Sequence, residues 1–119
     1  KRAFTIPHKD FLPFIGKPYD LPDGRRKTLG SQRYRLIERD GPVCVSCGIE
    51  GEYWACESHA YKGEYKSYHF NLYGVGEHGN EVLITKDHIV PKSKGGKNCL
   101  DNYQVMCYRC NQKKGDRMP

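Results

Sequence analysis

Two short patterns in this 119-residue chain bring together side chains capable of chemistry. The first is Asp87-His88, adjacent in TKDHIVPKSKGGKN. A carboxylate is a hard oxygen ligand for a cation, and an imidazole is the side chain that ordinarily titrates near neutrality and serves as a base. The second is a pair of Cys-x-x-Cys motifs, Cys44/Cys47 and Cys107/Cys110. Four thiolates so paired suit tetrahedral zinc, which takes sulfur at ~2.3 Å. A site filled by four protein sulfurs is closed, so its role is to tie residue 44 to residue 110. Asp87 and His88 fall inside that bracket, as does Asn102, and Asn111 directly follows the last cysteine.

Taken singly, each of these residues has a plainer explanation. His88 could be a satisfied core histidine, Asn102 a polar helix residue and Asn111 the cap of a segment. The cysteines admit a competing ligand set, Cys44, Cys47, Cys56 and His59, which would orphan Cys107 and Cys110. Outside the favoured set Cys56 and Cys99 are plain thiols, and disulfides in an oxidising compartment are the remaining option. Asp87-His88 also poses a geometric problem. Neighbours on a strand point to opposite faces, so the two can share a site only if the backbone bends near them.

The elements that must position these residues are only partly readable. Residues 1–30 hold Pro7, Pro13, Pro18 and Pro22, a density that forbids a long helix and predicts an extended basic arm pinned by Phe4, Phe11, Leu12 and Phe14. GSQRYRLIERDG (30–41) reads as a helix capped by Ser31 and stopped by Gly41-Pro42. VCVSCG (43–48) is a tight knuckle, and 49–64 reads as acidic and irregular. YKSYHFNLYGV (65–75) and EVLITKDHIV (81–90), separated by the turn residues EHGN, predict a β-hairpin. PKSKGGKN is a loop, and 99–115 reads as helical through much of its length.

Composition sets the class. The hydrophobic fraction is 37% and the mean hydropathy −0.81, a thin supply of core for which a metal staple is a common remedy. No apolar run approaches the ~20 residues of a membrane span, and KRAFTIPHKD does not read as a secretory signal, so the expectation is a soluble cytoplasmic protein. The net charge of +6 is uneven. Residues 1–35 carry nine Lys and Arg against three Asp and Glu, 36–85 three against eight, and 86–119 eight against three. The last basic block coincides with the Asp-His and a cysteine pair, which points to a polyanion such as nucleic acid.

With those residues in order, DHIVPKSKGGKNCLDNYQVMCYRCNQKKG resembles the HNH endonuclease signature, in the sub-type with embedded Cys-x-x-Cys pairs, and RLIERDGPVCVSCG is similar to its lead-in. The resemblance implies an α+β fold: a ββα-metal core at about 81–115 within a nuclease domain at 31–119, with a preceding helix, a four-cysteine zinc site bracketing 44–110, and the N-terminal arm at 1–30 outside it. It implies an insertion between Cys47 and Asp87.

By position, the resemblance makes His88 the general base, Asp87 and Asn111 ligands of the catalytic cation, and Asn102 the residue that holds the His88 loop through backbone hydrogen bonds. Asn111 stands where many relatives have a final His, and Gly115 where some have a further one. An all-oxygen site suits Mg²⁺ or Mn²⁺. Lys92, Lys94, Lys97, Arg109, Lys113 and Lys114 are candidates for phosphate contacts, and Arg25, Arg26 and Lys27 for a clamp along the duplex. The implied activity is hydrolysis of DNA phosphodiesters leaving 5′-phosphate ends. Cutting both strands would need a homodimer or two hits, and the setting would be a phage, a mobile element or host DNA processing. The alternative is a non-catalytic zinc module that binds nucleic acid or a protein.

Overall fold

The computed structural model describes residues 1–59 and 67–118. Its centre is a five-stranded antiparallel sheet formed, in spatial order, by β1 (Arg2–Pro7), β4 (Gly51–His59), β5 (Ser67–Val75), β6 (Glu81–His88) and β7 (Tyr103–Cys107). A small hairpin, β2 (Pro18–Asp20) and β3 (Arg26–Thr28), forms a second sheet that packs on it through Tyr19 against Phe70. The helices are short: α1 (His8–Phe11), α2 (Gln32–Asp40) and α3 (Tyr108–Lys114). The fold is α+β, and among the described residues no helix is long and apolar enough to cross a membrane.

The first thirty residues include an extended strand that pairs with the sheet and side chains that pack into the core. β1 pairs with β4 along Phe4↔Cys56 to Pro7↔Tyr53, because prolines bar a helix but not an edge strand that ends at one. Phe11 and Leu29 are fully buried, and Phe11 stacks on Trp54 with ring centroids 4.4 Å apart. Of the other expected pins, Leu12 and Phe14 are only partly covered, Phe14 standing edge-on to Tyr19, and Phe4 packs edge-on to Phe70.

The expected helix is present. α2 buries Tyr34, Leu36 and Ile37 and ends at Gly41, whose φ of 88° a side chain would resist. Ser31 occupies the cap position without a side-chain bond to the helix. Arg39, in the last turn, donates to the carbonyls of Leu100 and Tyr103 and so fastens the helix to the start of β7.

The expected hairpin is β5–β6, paired Tyr73↔Leu83 through Val75↔Glu81. Two expectations are corrected. Gly51–His59, within the stretch expected to be irregular, is a strand lying between β1 and β5; residues 60–64 of that stretch, and 65–66 of the expected strand, lie outside the described residues. Its acidic Glu57 hid the pattern, because it is satisfied in place by Tyr73, Asn71 and Arg2. The stretch 99–115 is only partly helical. Residues 103–107 are β7, whose Tyr103, Val105, Met106 and Cys107 are buried against β6 and α2, leaving α3 a two-turn helix.

Candidate active site and metal centre

The two Cys-x-x-Cys pairs meet. The sulfurs of Cys44, Cys47, Cys107 and Cys110 all lie within 4.8 Å of one another, with Cys47 and Cys107 3.7 Å apart. A tetrahedron with bonds of ~2.3 Å has edges of about 3.8 Å, so the quartet has the dimensions of a four-sulfur metal site. Local backbone geometry builds it. Gly48, at φ 79°, turns the knuckle so that its N–H donates to the Cys44 carbonyl, and Val45 N–H donates to Val105 of β7. The N–H groups of Cys47 and Cys110 point at the sulfurs of Cys44 and Cys107.

Burial raises the Cys44 thiol, but backbone N–H groups led by that of Cys47 outweigh it and bring it down to about 6. Burial and the three neighbouring sulfurs push Cys110 up to about 12. Four crowded thiols cannot all ionise by themselves, and a dication is what relieves that repulsion. Cys56, from the competing set, is not among the clustered sulfurs: it sits in β4 opposite Phe70, where burial pushes its thiol up to about 11, and the side chain of His59 lies outside the described residues.

The second centre lies where β6 ends. β6 and β7 are in register through Asp87↔Gln104 and His88↔Tyr103, and α3 packs back along β6. Asp87 is buried near the end of β6, and its neighbours there are polar. Its Oδ2 receives Nε2 of Gln104 at 2.9 Å and lies 3.3 Å from Nζ of Lys114, the two ionic side chains being 6% and 12% exposed. No buried side-chain oxygen among the described residues lacks a partner, so the unbonded Oδ1 reaches solvent.

His88 is the last residue of β6. Its ring stands edge-on to Tyr103, with centroids 4.9 Å apart, and its Nε2 is 2.8 Å from Oδ1 of Asn98. The chain bends immediately after His88, with Ile89 N–H donating to the Asn102 carbonyl. Asn102 holds the loop beyond. Its Oδ1 accepts from Val90 N–H at 2.9 Å, and its Nδ2 donates to the carbonyls of Val90 and Lys97 at 3.0 and 2.9 Å. Gly96 lies so close to the Val90 carbonyl oxygen that a Cβ would collide with it.

Asn111, on α3, completes the arrangement. Thr85 spends its hydroxyl proton on the Met106 carbonyl at 2.6 Å, so its oxygen can only accept, and it takes Nδ2 of Asn111 at 2.9 Å. That bond turns Oδ1 of Asn111 away from Thr85. Asp87, His88 and Asn111 line one cleft of about 330 Å³ together with Lys86, Pro91, Lys92, Ser93, Gly115 and Asp116. Two open oxygens, one carboxylate and one amide, are a donor set that suits a hard divalent cation.

The six basic candidates are spread more widely. Lys92 lines the cleft, and Lys94 faces Asp116 at 3.9 Å. Lys97 contributes its carbonyl to Asn102. Lys114 is engaged inside the protein, by Asp87 and the His88 carbonyl. Lys113 lies on α3 beside the cysteine quartet, and Arg109 sits at the far end of β6, near Tyr73 and Glu81. Of the N-terminal cations, Arg26 pairs with Asp20 and Lys27 donates to the Tyr68 carbonyl. Thr85, Asn98 and Gln104 join the site without being marked as site residues in the sequence. Asn98 follows Gly95-Gly96-Lys97 inside the signature stretch and could have been singled out, but the partners of the other two depend on strand register.

β6, β7 and α3 thus form a ββα unit with a cleft at its strand–helix end lined by Asp87, His88 and Asn111. Residues 76–119 match the family model described as HNH endonuclease. No curated protein and no solved structure gives a significant match.

Proposed function

We propose that the protein is a metal-dependent DNA endonuclease that hydrolyses phosphodiester bonds, with His88 as general base. The observation that carries this reading is the meeting of Asp87, His88 and Asn111 on one cleft, within the segment that matches the HNH family. Asp87 and Asn111 would hold a divalent cation, Mg²⁺ or Mn²⁺, through oxygen. When bound, the cation would supply charge stabilisation at the scissile phosphate and its leaving oxygen. His88 would take the proton of the attacking water, a contribution of roughly 10²–10⁴-fold in rate. Asn102 would keep the His88 loop in place, and Lys92, at the cleft wall, would meet a phosphate oxygen.

The cysteine quartet would hold zinc as a structural ion, tying the knuckle before β4 to the end of β7. Free thiols and a zinc knuckle suit the inside of a cell. One ββα unit cuts one strand, so double-strand cleavage would call for a second copy or a second hit.

The test is nicking of supercoiled plasmid with Mg²⁺ or Mn²⁺. The expected result is conversion to open circles by the wild-type protein and a loss of about 10²-fold or more with His88→Ala. Equal rates for the two proteins would refute the role of His88. DNA binding without cleavage under any divalent metal would refute the enzyme.

A further inference from the structure

We infer that Asn98 is a positioning residue that sets the tautomer of His88, placing the imidazole proton on Nε2 and leaving Nδ1 as the basic nitrogen. The inference rests on the proposed function for its catalytic meaning but not for its geometry. Nε2 lies 2.8 Å from the side-chain oxygen of Asn98, a hydrogen-bond distance to an atom that only accepts. A ring facing that oxygen must carry its proton on Nε2. Neutral imidazole has one N–H, so Nδ1 keeps the lone pair. Among the described residues Nδ1 has no hydrogen-bond partner, and no buried side-chain nitrogen is left unsatisfied, so Nδ1 reaches solvent, where a water can meet it.

The loop around Asn98 is constructed to hold this distance. Gly96 N–H donates to the Pro91 carbonyl at 3.0 Å, and the absence of a Cβ lets the loop close on Val90. Asn102 fixes both ends of the same loop, at Val90 and at Lys97, the residue before Asn98. The edge of Tyr103 restrains the ring from the strand side. The His88–Asn98 pair is therefore held from two directions.

The experiment is two-bond ¹H–¹⁵N correlation on histidine-labelled protein at a pH where His88 is neutral, on the wild type, Asn98→Ala and Asn98→Asp, with His88→Gln to assign the signal. The expected result is a Nε2–H tautomer in the wild type, a mixture in Asn98→Ala, and retention in Asn98→Asp, whose carboxylate still accepts. In plasmid nicking, Asn98→Ala should lower kcat by roughly 10-fold or more with KM little changed, and Asn98→Asp should recover part of it. A Nδ1–H tautomer in the wild type, or an unchanged Nε2–H preference in Asn98→Ala, would overturn the inference. The tautomer is read without DNA or metal, so a locked Nε2–H form in a protein that does not cleave would overturn the proposed function and leave this inference standing.

Discussion

Lys114 Nζ lies 3.3 Å from Oδ2 of Asp87 and donates to the His88 carbonyl at 2.9 Å, so one lysine of α3 holds both residues of the Asp-His pair. The Lys114–Asp87 ion pair is almost wholly shielded from water, and a carboxylate shielded this way depends on its counter-charge. Lys114→Met should cost about 3 kcal/mol of unfolding free energy, with Gln104 left as the partner of Asp87. Mn²⁺ should stabilise this variant more than it stabilises the wild type, because a cation at Oδ1 would replace the missing charge. Thermal unfolding of both proteins with and without Mn²⁺ measures this. A variant as stable as the wild type in metal-free buffer would show that Lys114 does not support Asp87.

The four-sulfur site brings the knuckle at Cys44 to the start of α3 at Cys107, far apart in sequence, and metal binding at such sites is coupled to folding. One equivalent of zinc should co-purify. Strong chelation or Cys110→Ser should unfold the chain, read as loss of the far-ultraviolet signal and exposure of Trp54. Cys99→Ser, outside the quartet, should do neither. Retention of the folded signal after complete removal of metal would contradict the staple.

Asn102→Ala removes three hydrogen bonds, two of them to the backbone of Val90. The expected cost is about 1–3 kcal/mol, felt mainly in the loop between His88 and Asn98. Hydrogen exchange at the Val90 amide should quicken in the variant, and plasmid nicking should fall although Asn102 does not line the cleft. Unchanged exchange at Val90 would mean that the loop is held by other contacts.

The N-terminal segment makes a pH prediction. Trp54 Nε1–H donates to Nδ1 of His8 at 3.0 Å, so His8 must be neutral at that nitrogen. Burial lowers the His8 pKa, with Glu50 opposing. The unfolded chain titrates near ~6.5 and therefore binds the proton first. The stability contributed by neutral His8 is present above that value and is lost as pH falls through the lowered folded value. Trp54 is the one tryptophan, so its fluorescence should titrate on the acid side of about pH 6.5, and His8→Phe should abolish the step. A step that persists unchanged in His8→Phe would assign it elsewhere.

Much of this was legible in the sequence because it depends on local chemistry. Spacing within each Cys-x-x-Cys pair is a property of a few residues, as are the stop of α2 at Gly41-Pro42 and the turn between β5 and β6. β4 was not legible, because its Glu57 looked like a loop residue until Tyr73, Asn71 and Arg2 were seen around it. Nor was β7, whose apolar residues at 103–107 suit either period until β6 is laid beside them.

What the sequence by itself determined is the inventory: four thiols in two pairs, an Asp beside a His, two asparagines further on, and a basic C-terminal block. Only the tertiary structure decided which atoms of that inventory are spent and which are open. It turned Lys114 inward onto Asp87 and gave the amide nitrogen of Asn111 to Thr85, leaving its oxygen open. It set Asn98 against His88 and drew the N-terminal residues into the core. Those assignments follow from strand register and helix placement, which bring together groups many residues apart, and the cost of burying an unpaired polar atom selects the partners that satisfy one another.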